Sequence, residues 1–153
     1  MSSTRIEVHL NAPRERVYRA FVTAEDVRTW MVPTGMTSTV HAFEPRVGGA
    51  FRITLSYDEP TGTGKTTANA DTYHGRFVEL VPHERIVESI EFEASDPGMQ
   101  GTMTMTITLA DAAGGGTDLV AVHADLPPAI SLADNETGWR ISLGKLAALV
   151  ETG

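Results

Sequence analysis

Two histidines, His41 and His123, fall in stretches that read as β-strands. Imidazole is the side chain best suited to move a proton near neutral pH, so these positions come first. Leu119, Ala121 and His123 share one face of the last strand, and Leu119 stands where a core residue is expected. His123 is therefore expected to point inward. There it serves either as a buried histidine satisfied by a carbonyl or water, or as a polar anchor or general acid/base for a ligand. Asp125, two residues on, is expected on the same face. His9 and His83 fall at wet positions and carry no expected role. Glu88 and Glu91 alternate onto opposite faces of their strand and so do not form a catalytic carboxylate pair. No serine sits in a strand–turn–helix elbow.

The chain of 153 residues contains no cysteine. Disulfides, thiolate nucleophiles and thiolate-rich metal sites are excluded together. No two histidines show close ligand spacing, so no metal or other cofactor is expected. Gly62-Thr63-Gly64-Lys65-Thr66 ends like a phosphate-binding loop, but Glu59 stands where the first glycine should be. A polar loop and then a strand follow, so no helix N-terminus is offered to a phosphate, and nucleotide binding is not expected.

The elements that must position these residues follow from periodicity. Ile6, Val8 and Leu10 alternate with Arg5, Glu7 and His9, giving a strand over 4–10 with one wet side. Asn11 and Pro13 begin a short helix with Val17, Tyr18 and Phe21 on its apolar stripe, and Glu15 suits its N-terminal turn. Thr23 with Asp26 resembles a capping pair for a second short helix ending near Trp30. Strands are expected over 37–44, 51–57, 73–81, 85–93, 101–110 and 117–126, with a long polar loop over 58–72. In the strand over 101–110, Met103, Met105, Ile107 and Leu109 face one way and four threonines the other. After Pro127-Pro128, residues 131–151 read as a helix, with Trp139, Leu143, Leu146 and Val150 at helical spacing and Ile141 and Leu149 widening the stripe.

This order predicts one α+β domain over 1–153. A sheet of six or seven antiparallel strands with one apolar face needs a cover, and only the C-terminal helix is long enough. A curved sheet wrapped around that helix leaves room between them. Trp30, Phe51, Tyr73, Phe77, Met103, Met105 and Trp139 can converge there. With His41, His123 and Leu143 they are the candidate ligand-binding residues, His123 and Tyr73 being the polar anchors. A dry void of ~300 Å³ at ~24 cal/mol per Å³ would cost about 7 kcal/mol, comparable to the stability of a domain. A pocket of that size must be partly polar, filled or collapsed.

The formal net charge is −8, with basic residues scattered, which disfavours nucleic acid and anionic membrane surfaces. No signal-like segment or membrane-length apolar run is found, so a cytoplasmic protein is expected. The sequence leaves room for a homodimer.

The residues also resemble a known family. Ala12-Pro13 with Val17-Tyr18 and Ala20-Phe21, Trp30, Pro45 through Phe51, and Gly75-Arg76-Phe77-Val78-Glu79 with Pro82 and Arg85-Ile86-Val87 carry the first part. Met105 through Leu109, Gly116-Thr117-Asp118-Leu119 to His123, and Gly138-Trp139 with Leu143, Leu146 and Leu149 complete it. In order and spacing the chain is similar to the START-like superfamily (SRPBCC, the Bet v 1-like helix-grip fold), in the branch of the Hsp90-ATPase-activator C-terminal domain. The resemblance implies that fold, with two short helices after the first strand. It also implies a cavity for a small apolar ligand such as a lipid, sterol or polyketide. Some relatives are cyclases, dehydratases or hydrolases, which would use His123 as acid/base, and the eukaryotic activator domain binds a chaperone. Ligand binding is the leading expectation here and catalysis the alternative. A chaperone partner ranks last, since this chain offers no additional domain and no charged docking patch.

Overall fold

The computed structural model describes residues 2–58 and 70–151. The Gly62–Thr66 stretch and most of the expected polar loop lie outside the described residues. The elements run β1 (Ser3–Leu10), α1 (Arg14–Val22), α2 (Ala24–Trp30), β2 (Met36–Phe43), β3 (Ala50–Tyr57), β4 (Ala70–Val81) and β5 (Arg85–Phe92). They continue with a single 3₁₀ turn (Pro97–Met99), β6 (Met103–Asp111), β7 (Thr117–Ala124) and α3 (Leu132–Glu151). β4 thus begins three residues before the strand expected at 73, because Ala70, Asp71 and Thr72 pair with Ser56, Leu55 and Thr54. α2 follows Thr23, but the threonine side chain makes no capping hydrogen bond. β7 stops at Ala124, since Asp125 turns to a φ of 61° and leaves the strand.

The strands form one antiparallel sheet in the order β1-β7-β6-β5-β4-β3-β2. Each meander pair is antiparallel, and β1 closes against β7, so the first strand sits at one edge and β2 at the other. One cross-strand row runs Thr4, His123, Met105, Glu88, Phe77 over β1, β7, β6, β5 and β4. Residues in one row point to the same face. All five are at most 7 % exposed, which makes this the inner face.

Two features adjust the sheet. β2 bulges between Val40 and Ala42, so that Phe43 rather than Ala42 returns to the inner side. Gly75 lies opposite Phe51, where a Cβ would stand 2.7 Å from the Phe51 ring and 1.9 Å from the Ser89 carbonyl oxygen. The glycine lets the Phe51 ring cross β4 and reach Phe77, 5.3 Å away between centroids.

The helices cover this face unevenly. α3 packs against β1, α1 and α2. Ser142, Leu143, Leu146 and Val150 are buried in its C-terminal half, while no residue of its first half, 132–141, is fully buried. Ile141, expected to widen the apolar stripe, is 38 % exposed. The first half of α3 therefore stands away from the sheet, over the inner ends of β3, β4 and β5.

Candidate functional site

The space beneath that half of α3 is a cavity of about 680 Å³ that opens to solvent. Its floor comes from the inward positions of the sheet: Phe51, Ile53, Leu55 and Tyr57 of β3, Asp71 and Tyr73 of β4, and Glu88, Ile90 and Phe92 of β5. Val27 of α2, Met31, and Met36 and Phe43 of β2 close one side, while Met99 and Met103 close another. Asn135, Trp139, Ile141 and Ser142 of α3 form the roof. Methionine at four of these positions gives a deformable apolar wall.

His123 sits where this roof meets the sheet, and it is 7 % exposed. The Trp139 indole donates to its Nδ1 at 3.1 Å, with the two rings edge to face at 6.0 Å. The Asn135 side-chain nitrogen also approaches Nδ1 at 3.3 Å. An indole N–H can only donate, so Nδ1 is the acceptor and the proton of the neutral ring lies on Nε2. That Nε2 is buried with no hydrogen-bond partner. Thr4 Oγ1, across the β1–β7 pairing, and Asn135 Oδ1 are likewise buried and unpaired. Three unmet polar groups thus gather around one imidazole, each costing on the order of 1–3 kcal/mol if left so. Burial pushes the pKa of His123 down to about 4, so the ring is neutral at physiological pH.

Glu88 is the second polar centre, two strands from His123 in the same row, at a Cα separation of roughly 10 Å by ordinary strand spacing. It is 7 % exposed and lines the cavity, and its carboxyl makes no hydrogen bond or ion pair among the described residues. Burial raises its pKa to about 7. Tyr73, on the neighbouring strand, has its phenol shifted upward by burial and by the nearby Glu88 charge. Among the described residues its hydroxyl reaches the Met31 sulfur alone, at 3.9 Å.

Of the residues expected at the pocket, the structure places Phe51, Tyr73, Met103, His123 and Trp139 on its wall. The other five lie elsewhere. Trp30 is fully buried beside Phe21 and spends its indole N–H on the Ala20 carbonyl at 2.9 Å, locking α2 to α1. Phe77, Met105 and Leu143 are core residues outside the cavity, filling the layer where α3 closes onto the sheet. His41 follows the inward Met36, Ser38 and Val40 of β2, so alternation puts it on the outer face, where its Nε2 meets Thr54 Oγ1 at 2.8 Å. Asp125 does not line the cavity either, because its left-handed backbone ends the alternation. Glu88 was not anticipated, although it falls between Ile86 and Ile90 in the inward register of β5. That parity was the available signal. Asp71 falls in the stretch expected as a loop, which hides its inward position in β4.

No group of three or more His, Asp or Glu residues among the described residues is arranged to hold a metal ion. No helix among them is long and apolar enough to cross a membrane.

An open antiparallel sheet closed by a C-terminal helix over a cavity is the helix-grip α+β class. The chain belongs to the Activator of Hsp90 ATPase homolog 1-like protein family, whose model matches residues 11–151. Among solved structures, a protein from Chromobacterium violaceum is 38 % identical with a TM-score of 0.86, the match covering 97 % of this chain and 96 % of that one. A Rhodobacter sphaeroides protein shares the fold at 20 % identity and a TM-score of 0.77, over 99 % and 93 % of the two chains. DynU16, a protein of the dynemicin biosynthetic locus, matches at 22 % identity and a TM-score of 0.69, covering all of this chain and 48 % of that one. Comparison with curated proteins finds no match.

Proposed function

We propose that this protein binds a small, largely apolar molecule in the cavity between the sheet and the first half of α3. The observation that carries the reading is a cavity of about 680 Å³ whose largely apolar wall carries the Glu88 carboxyl, without a hydrogen-bond or ion-pair partner among the described residues. Ligand sites are typically apolar clefts of about 300–1,000 Å³ with a few convergent polar groups. The walls here supply the apolar area, and His123, Glu88 and Tyr73 supply the polar points. Lipid-, sterol- and polyketide-like molecules all fit this description in size and polarity. Native mass spectrometry of the purified protein, followed by thermal-shift measurements against such a panel, tests it. A retained small molecule, or a concentration-dependent rise in Tm, supports binding. Absence of both removes its support.

A second reading, acid/base catalysis on a similar apolar substrate, is favoured by one observation. Glu88 is an unpaired carboxyl in the cavity with its pKa raised to about 7, as a general acid or base needs. The role moves from His123 to Glu88. His123 gives its Nδ1 to Trp139 and is too weak a base after burial. Turnover of a bound ligand that is lost in Glu88→Gln, with binding retained, would establish this reading. Binding of a chaperone ranks behind both, and a pull-down with an Hsp90-type chaperone is expected to recover nothing.

A further inference from the structure

We propose that the cavity selects an apolar ligand that carries a protonated amine, with Glu88 as its ion-pairing partner, and discriminates against carboxylate ligands of the same shape. This rests on the reading of the cavity as a ligand site and narrows the class of molecule that enters it.

The titratable groups facing the cavity come from every element around it. They are Tyr57 from β3, Asp71 and Tyr73 from β4, Glu88 from β5, His123 from β7 and Asp134 from α3. Three are carboxyls, two are phenols and one is a neutral imidazole. No lysine or arginine lines the cavity among the described residues. Lys145, on the buried half of α3, gives its ammonium to the Val32 carbonyl at 2.7 Å.

A carboxylate ligand would meet no lysine or arginine among the described residues and would have the buried Glu88 beside it. Like charges at low local dielectric repel strongly, and the carboxylate would have to give up its hydration as well. An ammonium group has the opposite fate. It finds in Glu88 a carboxyl that is more than nine-tenths buried, lines the cavity and makes no hydrogen bond or ion pair within the described protein. A charge-assisted hydrogen bond between them satisfies both groups, and the incoming positive charge itself favours ionised Glu88. The methionine and aromatic walls hold the rest of the molecule.

The test uses three probes with one apolar body and different heads: 4-phenylbutylamine, 4-phenylbutanol and 4-phenylbutyrate. Their affinities for the whole protein are measured by NMR titration at pH 6 and pH 8. The amine is expected to bind at least tenfold more tightly than the carboxylate at pH 8. The ratio of amine to alcohol affinity should rise severalfold from pH 6 to pH 8, as Glu88 ionises. In Glu88→Gln the amine and alcohol should bind within about twofold of each other. Equal or tighter binding of the carboxylate, or an amine preference that persists in the variant, overturns the proposal while leaving the cavity a binding site. Failure of all three probes to bind overturns both. Should Glu88→Gln not fold, the pH dependence in the unaltered protein decides: a flat amine-to-alcohol ratio overturns the proposal.

Discussion

The Trp139 indole N–H donates to His123 Nδ1 at 3.1 Å, joining the first half of α3 to the end of β7 across the cavity roof. The contact does two things at once. It places the helix over the cavity, and it determines which nitrogen of the imidazole carries the proton.

Trp139→Phe keeps the aromatic body and removes the donor. Stability is expected to fall by about 1–2 kcal/mol, the usual cost of losing a buried hydrogen bond. The neutral ring loses an acceptor interaction that only the neutral form can make, so His123 should titrate at a higher pH than in the unaltered protein. Nitrogen-15 shifts of the imidazole report both changes. A tautomer that stays on Nε2 with an unchanged titration would separate the two residues.

Stability against pH should carry two opposed slopes. His123 has its folded pKa lowered from 6.5 to about 4, so its contribution is present above pH 6.5 and lost as pH falls toward 4. Glu88 has its folded pKa raised from 4.5 to about 7, so its contribution is present below pH 4.5 and lost as pH rises through 7. Each is on the order of 3 kcal/mol over its window, and between about pH 4.5 and 6.5 they offset. Urea unfolding as a function of pH should show Glu88→Gln gaining stability relative to the unaltered protein as pH rises through this range. His123→Asn should show the reverse trend.

Gly75→Ala is expected to cost more than about 2 kcal/mol, because the new methyl group would meet the Ser89 carbonyl oxygen at 1.9 Å, which is backbone and cannot swing aside. Chemical denaturation measures the loss. A neutral substitution would mean that β4 and β5 can separate locally at no cost.

Trp30→Phe leaves the Ala20 carbonyl without its buried donor and should destabilise by about 1–3 kcal/mol. Since Trp30 lies outside the cavity wall, the affinity for any cavity ligand should stay unchanged. A calorimetric titration that shows weakened binding in a folded variant would place Trp30 in the site after all.

Strands and helices were legible in the sequence because alternation and the 3.6-residue stripe report burial directly, as Met103 to Leu109 do in β6. The wall of the cavity was legible only in part. Phe51, Tyr73, Met103 and His123 follow from face parity and Trp139 from the helical stripe, whereas His41 shares the outward parity of Thr37 and Thr39 and so lies outside. Large apolar residues such as Trp30, Phe77 and Met105 carry the same pattern whether they line a cavity or fill the core, so periodicity cannot separate the two. Glu88 was hidden for a different reason. A carboxyl is expected outside, and its inward register becomes conspicuous only once Ile86 and Ile90 are seen buried on either side.

The two halves of α3 have different tasks, and this shapes how such a chain can diversify. Leu143, Leu146 and Val150 hold the molecule together, whereas 132–141 touch mainly the cavity and solvent. Apart from Trp139, substitutions in the first half can change what the cavity admits at little expense to folding. The same length of helix is thus a keel at one end and a label open to rewriting at the other.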